Sequence, residues 1–91
     1  NMVREKLQEA ATRLETASEN AGDADATDRL ADLADQLDDL ATAERGPDHG
    51  RMARIQNALS DLKDDVATEV VDDIDAAKDA ISAYRETVEG V

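Results

Sequence analysis

The sequence predicts an all-α fold, and three observations support this prediction. Apolar residues recur at alternating spacings of three and four along most of the 91 residues, as they do on one face of an amphipathic helix. No segment alternates polar and apolar residues with a period of two, so we predict no strand. The single proline lies between two periodic segments, where a helix has to end. Residues 1–91 are therefore expected to form a single helical domain.

The first predicted helix covers about residues 2–20. Its apolar residues are spaced 4, 3, 4 and 3, and they are Val3, Leu7, Ala10, Leu14 and Ala17. The residues that follow, from Asn20 to Asp23, should end this helix, because Asn and Gly suit the left-handed conformation of a C-terminal cap.

The second predicted helix covers about residues 25–44. Its apolar residues have the same spacing, and they are Ala26, Leu30, Leu33, Leu37 and Leu40. Asp23 or Asp25 can cap its start, and Asp25 can also pair with Arg29. Because the loop at 21–24 is short, we expect the first two helices to form an antiparallel hairpin.

The third apolar series runs from Met52 to Val88, with a mean spacing of 3.6 and no internal Gly or Pro. A straight α-helix keeps such a stripe on one face. The main prediction is therefore a long, possibly kinked C-terminal helix over about 48–89, opened by Pro47 or Asp48 and packed on the helical hairpin.

The alternative is an up-down four-helix bundle with a break near residues 64–68. Residues 66–71 include several β-branched side chains, which are weak helix formers. Thr68 could cap a fourth helix whose first turns carry Glu69, Asp72 and Asp73.

The charge composition excludes several classes of function. Asp and Glu number 23 and Lys and Arg number 10, so the net charge is −13 and nucleic-acid phosphates would be repelled. No apolar run approaches the ~20 residues needed to span a bilayer, so we expect no membrane partner. No secretory signal is recognisable, and we predict a cytoplasmic protein. The preference for Asp over Glu and for Arg over Lys indicates a halophilic source, where salt screens the repulsion.

The segment 45–54 differs from the rest of the chain because it carries three arginines and one aspartate. It also holds the single His and the single Pro, at a predicted helix N-terminus, which favours bound anions. The candidate residues for an anion or a protein partner are Arg45, His49, Arg51 and Arg54. The simpler interpretation is a helix–helix turn whose arginines pair with nearby acids.

We predict no catalytic residue, no metal site and no cofactor. The chain has no Cys and one His, whereas a catalytic zinc site needs three protein ligands. No calcium-loop spacing, phosphate-binding glycine loop or Ser-His-Asp grouping is recognisable. The protein is therefore not expected to be an enzyme.

Two motifs carry a resemblance to a known group of proteins. The turn Arg-Gly-Pro-Asp-His-Gly-Arg at 45–51 and the segment Ala-Tyr-Arg-Glu-Thr-Val-Glu-Gly-Val at 83–91 resemble those of small haloarchaeal proteins of unknown function. The resemblance covers nearly the whole chain. It implies an all-helical, salt-adapted cytoplasmic protein, and it implies no activity.

The function predicted from these observations is a non-enzymatic helical assembly or protein-interaction module, with a homodimer as the expected state. Under the long-helix interpretation, two short helices cover only half of the third, which leaves an apolar stripe for a second copy. The residues of this expected interface are Ile74, Ile81, Tyr84 and Val88. The alternative function is a small regulatory protein that binds an anionic ligand or partner through the turn at 45–54.

Overall fold

The computed structural model describes residues 4–88, which form four α-helices joined by short connections. They are α1 (Glu5–Asn20), α2 (Ala24–Thr42), α3 (His49–Leu62) and α4 (Thr68–Thr87). The predicted all-α fold is confirmed, since the described part of the chain contains no strand. The predicted helix residues 2–3 and 89 lie outside the described residues.

The connection between α1 and α2 follows the predicted chemistry. Gly22 has a φ of 75°, the left-handed conformation that glycine adopts most easily after a helix. Of the two candidate caps, Asp23 is the one used, because its carboxylate accepts a hydrogen bond from the Ala26 amide at 2.9 Å. Arg29 differs from the prediction, since it pairs with Asp32 at 3.2 Å and not with Asp25.

The predicted continuous helix over 48–89 is wrong, and the alternative break is present. α3 ends at Leu62, a short 3-10 turn follows over Lys63–Asp65, and Val66 and Ala67 have extended backbone. Ala67 occupies the N-cap of α4 without a side-chain hydrogen bond, so Thr68 is a helical residue and does not cap α4 as proposed.

The four helices run alternately up and down. Arg4, Leu40, Met52 and Tyr84 line one small cavity, so the start of α1, the end of α2, the start of α3 and the end of α4 lie at the same end of the molecule. α1 packs against both α2 and α4, while α3 packs against α4 and α2. The described residues form a rod about 37 Å long and 19 Å wide.

The core is built from described members of the three apolar series together with further alanines, such as Ala11, Ala34 and Ala80. All of its buried side chains are apolar or tyrosine, and no charged residue among the described ones is buried. Many are alanines on the contact faces of α1, α2 and α4, and such short side chains let helix backbones approach closely. α3 contributes three larger buried residues, which are Met52, Ile55 and Leu59.

The break places the expected dimer stripe inside the chain's own core. Ile74 and Ile81 are fully buried and Tyr84 is 3% exposed, while Val88 is partly buried against the same core. The argument for a homodimer through these residues was that a long helix would leave them uncovered. That premise is wrong, because α4 folds back and packs on α1.

None of the described helices combines the length and the apolar character that a bilayer crossing requires.

Candidate functional site

The turn that carries the candidate residues lies between α2 and α3. α2 ends at Thr42, and Ala43 has extended backbone. The peptide bond between Gly46 and Pro47 is cis. α3 then begins at His49, because the carboxylate of Asp48 accepts a hydrogen bond from the Arg51 amide at 2.9 Å and caps the helix. The turn is thus held at its α3 end by local sequence chemistry.

Arg4, at the start of α1, holds the other end of the turn. Its guanidinium donates to the carbonyl of Leu40 at 3.4 Å, to that of Arg45 at 3.3 Å, and to that of Ala43. The last carbonyls of a helix have no partner within it, and a cation there interacts favourably with the helix dipole. Sequence reasoning missed this role because Arg4 lies some forty positions away along the chain.

An open cleft lies against this turn, with a volume of about 460 Å³. The structure brings three of the four predicted residues to it, namely Arg45, His49 and Arg51. Arg54 lies one turn further along α3, with a guanidinium nitrogen 3.6 Å from the point where a side chain on Gly50 would begin. We call this depression the turn cleft; its remaining lining residues are Leu40, Ala43, Gly46, Pro47 and Asp48.

The arginines of the turn are weakly neutralised, although acids outnumber bases by more than two to one. Arg51 is 4.0 Å from the carboxylate of Asp39, which is 76% exposed. Neither Arg45 nor Arg54 has a carboxylate within 4.0 Å among residues 4–88. The simpler interpretation, in which nearby acids pair with these arginines, therefore applies only to Arg51. Its ion pair with Asp39 is long, at 4.0 Å.

His49 makes hydrogen bonds through both ring nitrogens. Arg85 donates from its Nε to His49 Nδ1 at 3.1 Å, so Nδ1 is an acceptor and carries no proton. The other nitrogen, Nε2, lies 3.2 Å from the carbonyl of Val88 and must be the donor. In this arrangement the ring joins the start of α3 to the end of α4.

Arg85 and Gln56 continue this connection as a row of polar contacts between α3 and α4. Arg85 also donates to the side-chain oxygen of Gln56 at 2.8 Å. The Gln56 amide nitrogen donates to the Ser82 hydroxyl at 2.9 Å and to the Lys78 carbonyl at 3.1 Å. The sequence contains no local signal for this row, because Gln56 lies more than twenty positions from each of its partners on α4.

Within the part of the chain that the structure describes, no three His, Asp or Glu side chains are grouped so that they could hold a metal ion. Among the described residues outside the turn, Arg29 and Asp32 pair within α2, and two further ion pairs connect different elements. Arg13 contacts Asp73 at 3.0 Å and Lys63 contacts Asp75 at 2.7 Å. These pairs connect one element of the bundle to another, and they define no further site.

The fold and the cleft define a class: a small acidic four-helix protein with a basic depression at one end. The sequence model of a family of unknown function, DUF7553, matches residues 2–87. The chain therefore belongs to this family. Comparisons with curated proteins and with solved structures gave no significant match.

Proposed function

We propose that this chain is a non-enzymatic protein-interaction module that binds a carboxylate-bearing partner at the turn cleft. The observation that carries the proposal is the weakly neutralised charge of two arginines that line this cleft in a chain of net charge −13: Arg45 has no carboxylate within 4.0 Å among residues 4–88, and Arg51 has only the exposed Asp39 at 4.0 Å. Arginine presents a planar fork of donors that matches a carboxylate, and such contacts are stronger than neutral hydrogen bonds. Arg45 and Arg51, which line the cleft, would hold the partner's carboxylates.

The hydrogen bonds of His49 support a binding role over a catalytic one. A general base needs a free nitrogen that can reach the substrate. One nitrogen of His49 accepts from Arg85, and the other donates to the Val88 carbonyl. Both ring nitrogens of His49 are thus engaged in contacts that hold the wall of the cleft.

The acidic surface supports the remaining parts of the proposal, a halophilic archaeal source and a salt-rich cytoplasm. High salt shortens the range of repulsion to ~3 Å at 1 M, so an acidic partner can approach. A homodimer loses its structural argument, because the apolar stripe is internal. Light scattering in 3 M KCl at several protein concentrations would measure the oligomeric state.

The experiment is a nuclear magnetic resonance titration with an end-blocked tetra-aspartate peptide. KCl is kept at the lowest concentration at which circular dichroism shows the protein folded. We expect saturable shifts of the Gly46, Gly50 and Arg51 amides. The double variant Arg45→Ala/Arg51→Ala should bind about five- to tenfold more weakly, since each surface pair contributes up to ~1 kcal/mol.

The matched control is Lys6→Ala. Lys6 is an exposed cation on α1 and does not line the turn cleft, so its removal changes the global charge alone. Affinity within twofold of the wild type is expected for this variant. The proposal would be overturned if the peptide caused no saturable shift of these amides. Selective binding of inorganic phosphate in a parallel titration would favour the second candidate, a regulatory protein for a small anionic ligand, which the cleft volume can also accommodate.

A further inference from the structure

A second depression lies beside the turn cleft, between α2 and α3. Its volume is about 220 Å³, and we call it the α2–α3 groove. It is lined by three arginines, one glutamine and two apolar side chains, and by no carboxylate; these residues are Arg29, Leu33, Gln36, Arg51, Arg54 and Ile55. In a chain with 23 acids, a surface depression without an acidic lining residue is unexpected.

Recognition in the α2–α3 groove has to be polar. Leu33 and Ile55 form its floor, but they are only 1% and 2% exposed, so a partner gains little apolar contact. The walls carry guanidinium groups. Arg54 has no carboxylate within 4.0 Å among the described residues, and Arg29 shares the carboxylate of Asp32 with the Gln36 amide.

The groove and the turn cleft adjoin at Arg51, which lines both. The resulting basic track leads from Arg45 past Arg51 and Arg54 to Arg29. From Arg29 to Thr42, which ends α2 beside Ala43 of the turn cleft, the helix advances thirteen positions, which corresponds to roughly 20 Å at 1.5 Å per residue. An extended peptide covers that distance with about six residues.

The spacing of the arginines also fits an extended chain. Arg51 and Arg54 are three positions apart on α3, and such neighbours lie roughly 5–6 Å apart at their Cβ atoms. Every second side chain of an extended strand points to the same side, about 6.6 Å from the previous one. Carboxylates at alternate positions can therefore each meet one guanidinium.

We infer that the turn cleft and the α2–α3 groove together bind one extended acidic peptide segment of a protein partner, with carboxylates at alternate positions. This inference rests on the proposed function and names its partner. A peptide is favoured over a nucleic acid because its alternate carboxylates are about 6.6 Å apart, whereas one strand of a nucleic acid carries a phosphate about every 3.4 Å. The net charge of −13 therefore repels the nucleic acid more strongly.

The test compares two end-blocked probes, a single aspartate and the hexapeptide Asp-Ala-Asp-Ala-Asp-Ala, by the same titration. We expect the hexapeptide to bind at least about tenfold more tightly, because its additional carboxylates reach Arg54 and Arg29. Arg29→Ala should weaken the hexapeptide about three- to fivefold and leave the single aspartate unchanged. Arg29→Lys should restore part of the loss, and Lys6→Ala should change neither affinity.

Two results would overturn the inference while leaving the proposed function intact. One is equal affinity for the two probes; the other is an unchanged hexapeptide affinity in Arg29→Ala. Circular dichroism of Arg29→Ala must match the wild type, since this variant also loses its contact with Asp32. If Arg29→Ala is unfolded, Arg54→Ala replaces it, because Arg54 makes no ion pair among residues 4–88. Tighter binding of a six-nucleotide single-stranded DNA than of the hexapeptide would also refute the acidic peptide as the partner.

Discussion

Replacing three aspartates by asparagine should stabilise this protein at low salt and have no effect at high salt. The substitutions are Asp28→Asn, Asp35→Asn and Asp79→Asn. All three residues are exposed and make no ion pair among the described residues. Each lies four positions from a second aspartate that is ion-paired; the pairs are Asp28 with Asp32, Asp35 with Asp39, and Asp79 with Asp75.

The magnitude follows from the helices in which these pairs lie. Two pairs are in α2 and one is in α4, so each brings like charges onto one helix face. Each pair costs about 0.2–0.5 kcal/mol when unscreened, which gives roughly 0.6–1.5 kcal/mol for three. Asp61 and Asp65 have the same spacing but do not count, because α3 ends at Leu62. For a domain of this size the gain corresponds to a rise in Tm of about 3–10 °C.

The assay is thermal unfolding followed by circular dichroism between 0.05 and 3 M KCl. The Tm of the wild type should rise with KCl, while the triple variant should start higher and meet the wild type at 3 M. Glu44→Gln is the control, since Glu44 is exposed and lies outside the helices. A wild-type Tm that does not change with KCl would refute the repulsion argument. A triple variant with the wild-type Tm at low salt would refute the assignment to these pairs.

Three other predictions concern the core, a helix cap and the histidine. Ile81→Asp should unfold the chain even in 3 M KCl, because the substitution buries an unpaired charge. A folded monomer with this substitution would show that Ile81 is at an interface and not in the core. Asp23→Ala should cost about 1 kcal/mol of unfolding free energy by removing the α2 cap, measured by urea titration, whereas Asp25→Ala should cost clearly less. Nitrogen-15 spectra should show a proton on Nε2 of His49 and none on Nδ1, and the opposite tautomer would contradict the contact with Arg85.

The sequence was sufficient for the helical elements because their signals are local. The alternating spacings of three and four predicted α1 and α2 to within a few residues over the described range. Gly22 and Asp23 predicted the turn between them, since a left-handed conformation and an N-cap depend on the residue that occupies the position. The same holds for Asp48 at the start of α3.

Only part of the candidate site could be predicted from the sequence. Its charge is a local property of the sequence, whereas its contacts join residues that are far apart along the chain. The charge of segment 45–54 identified Arg45, Arg51 and Arg54, because an excess of positive charge is visible in the sequence itself. The roles of Arg4 and Arg85 were not visible, since their partners lie about thirty to forty positions away. That Arg29 lines the α2–α3 groove could not be predicted either, because it depends on how α2 packs beside α3.

The sequence by itself determined that this protein is helical, where its first helices begin and end, and that its charge is strongly acidic with a basic turn. Only the tertiary structure decided whether the residues after Pro47 form one helix or two. A stripe with a mean spacing of 3.6 fits both arrangements, because a break that preserves the apolar face does not disturb the period. Burial decides between them: folding α4 back onto α1 removes Ile74, Ile81 and Tyr84 from water, whereas a single long helix would leave them exposed.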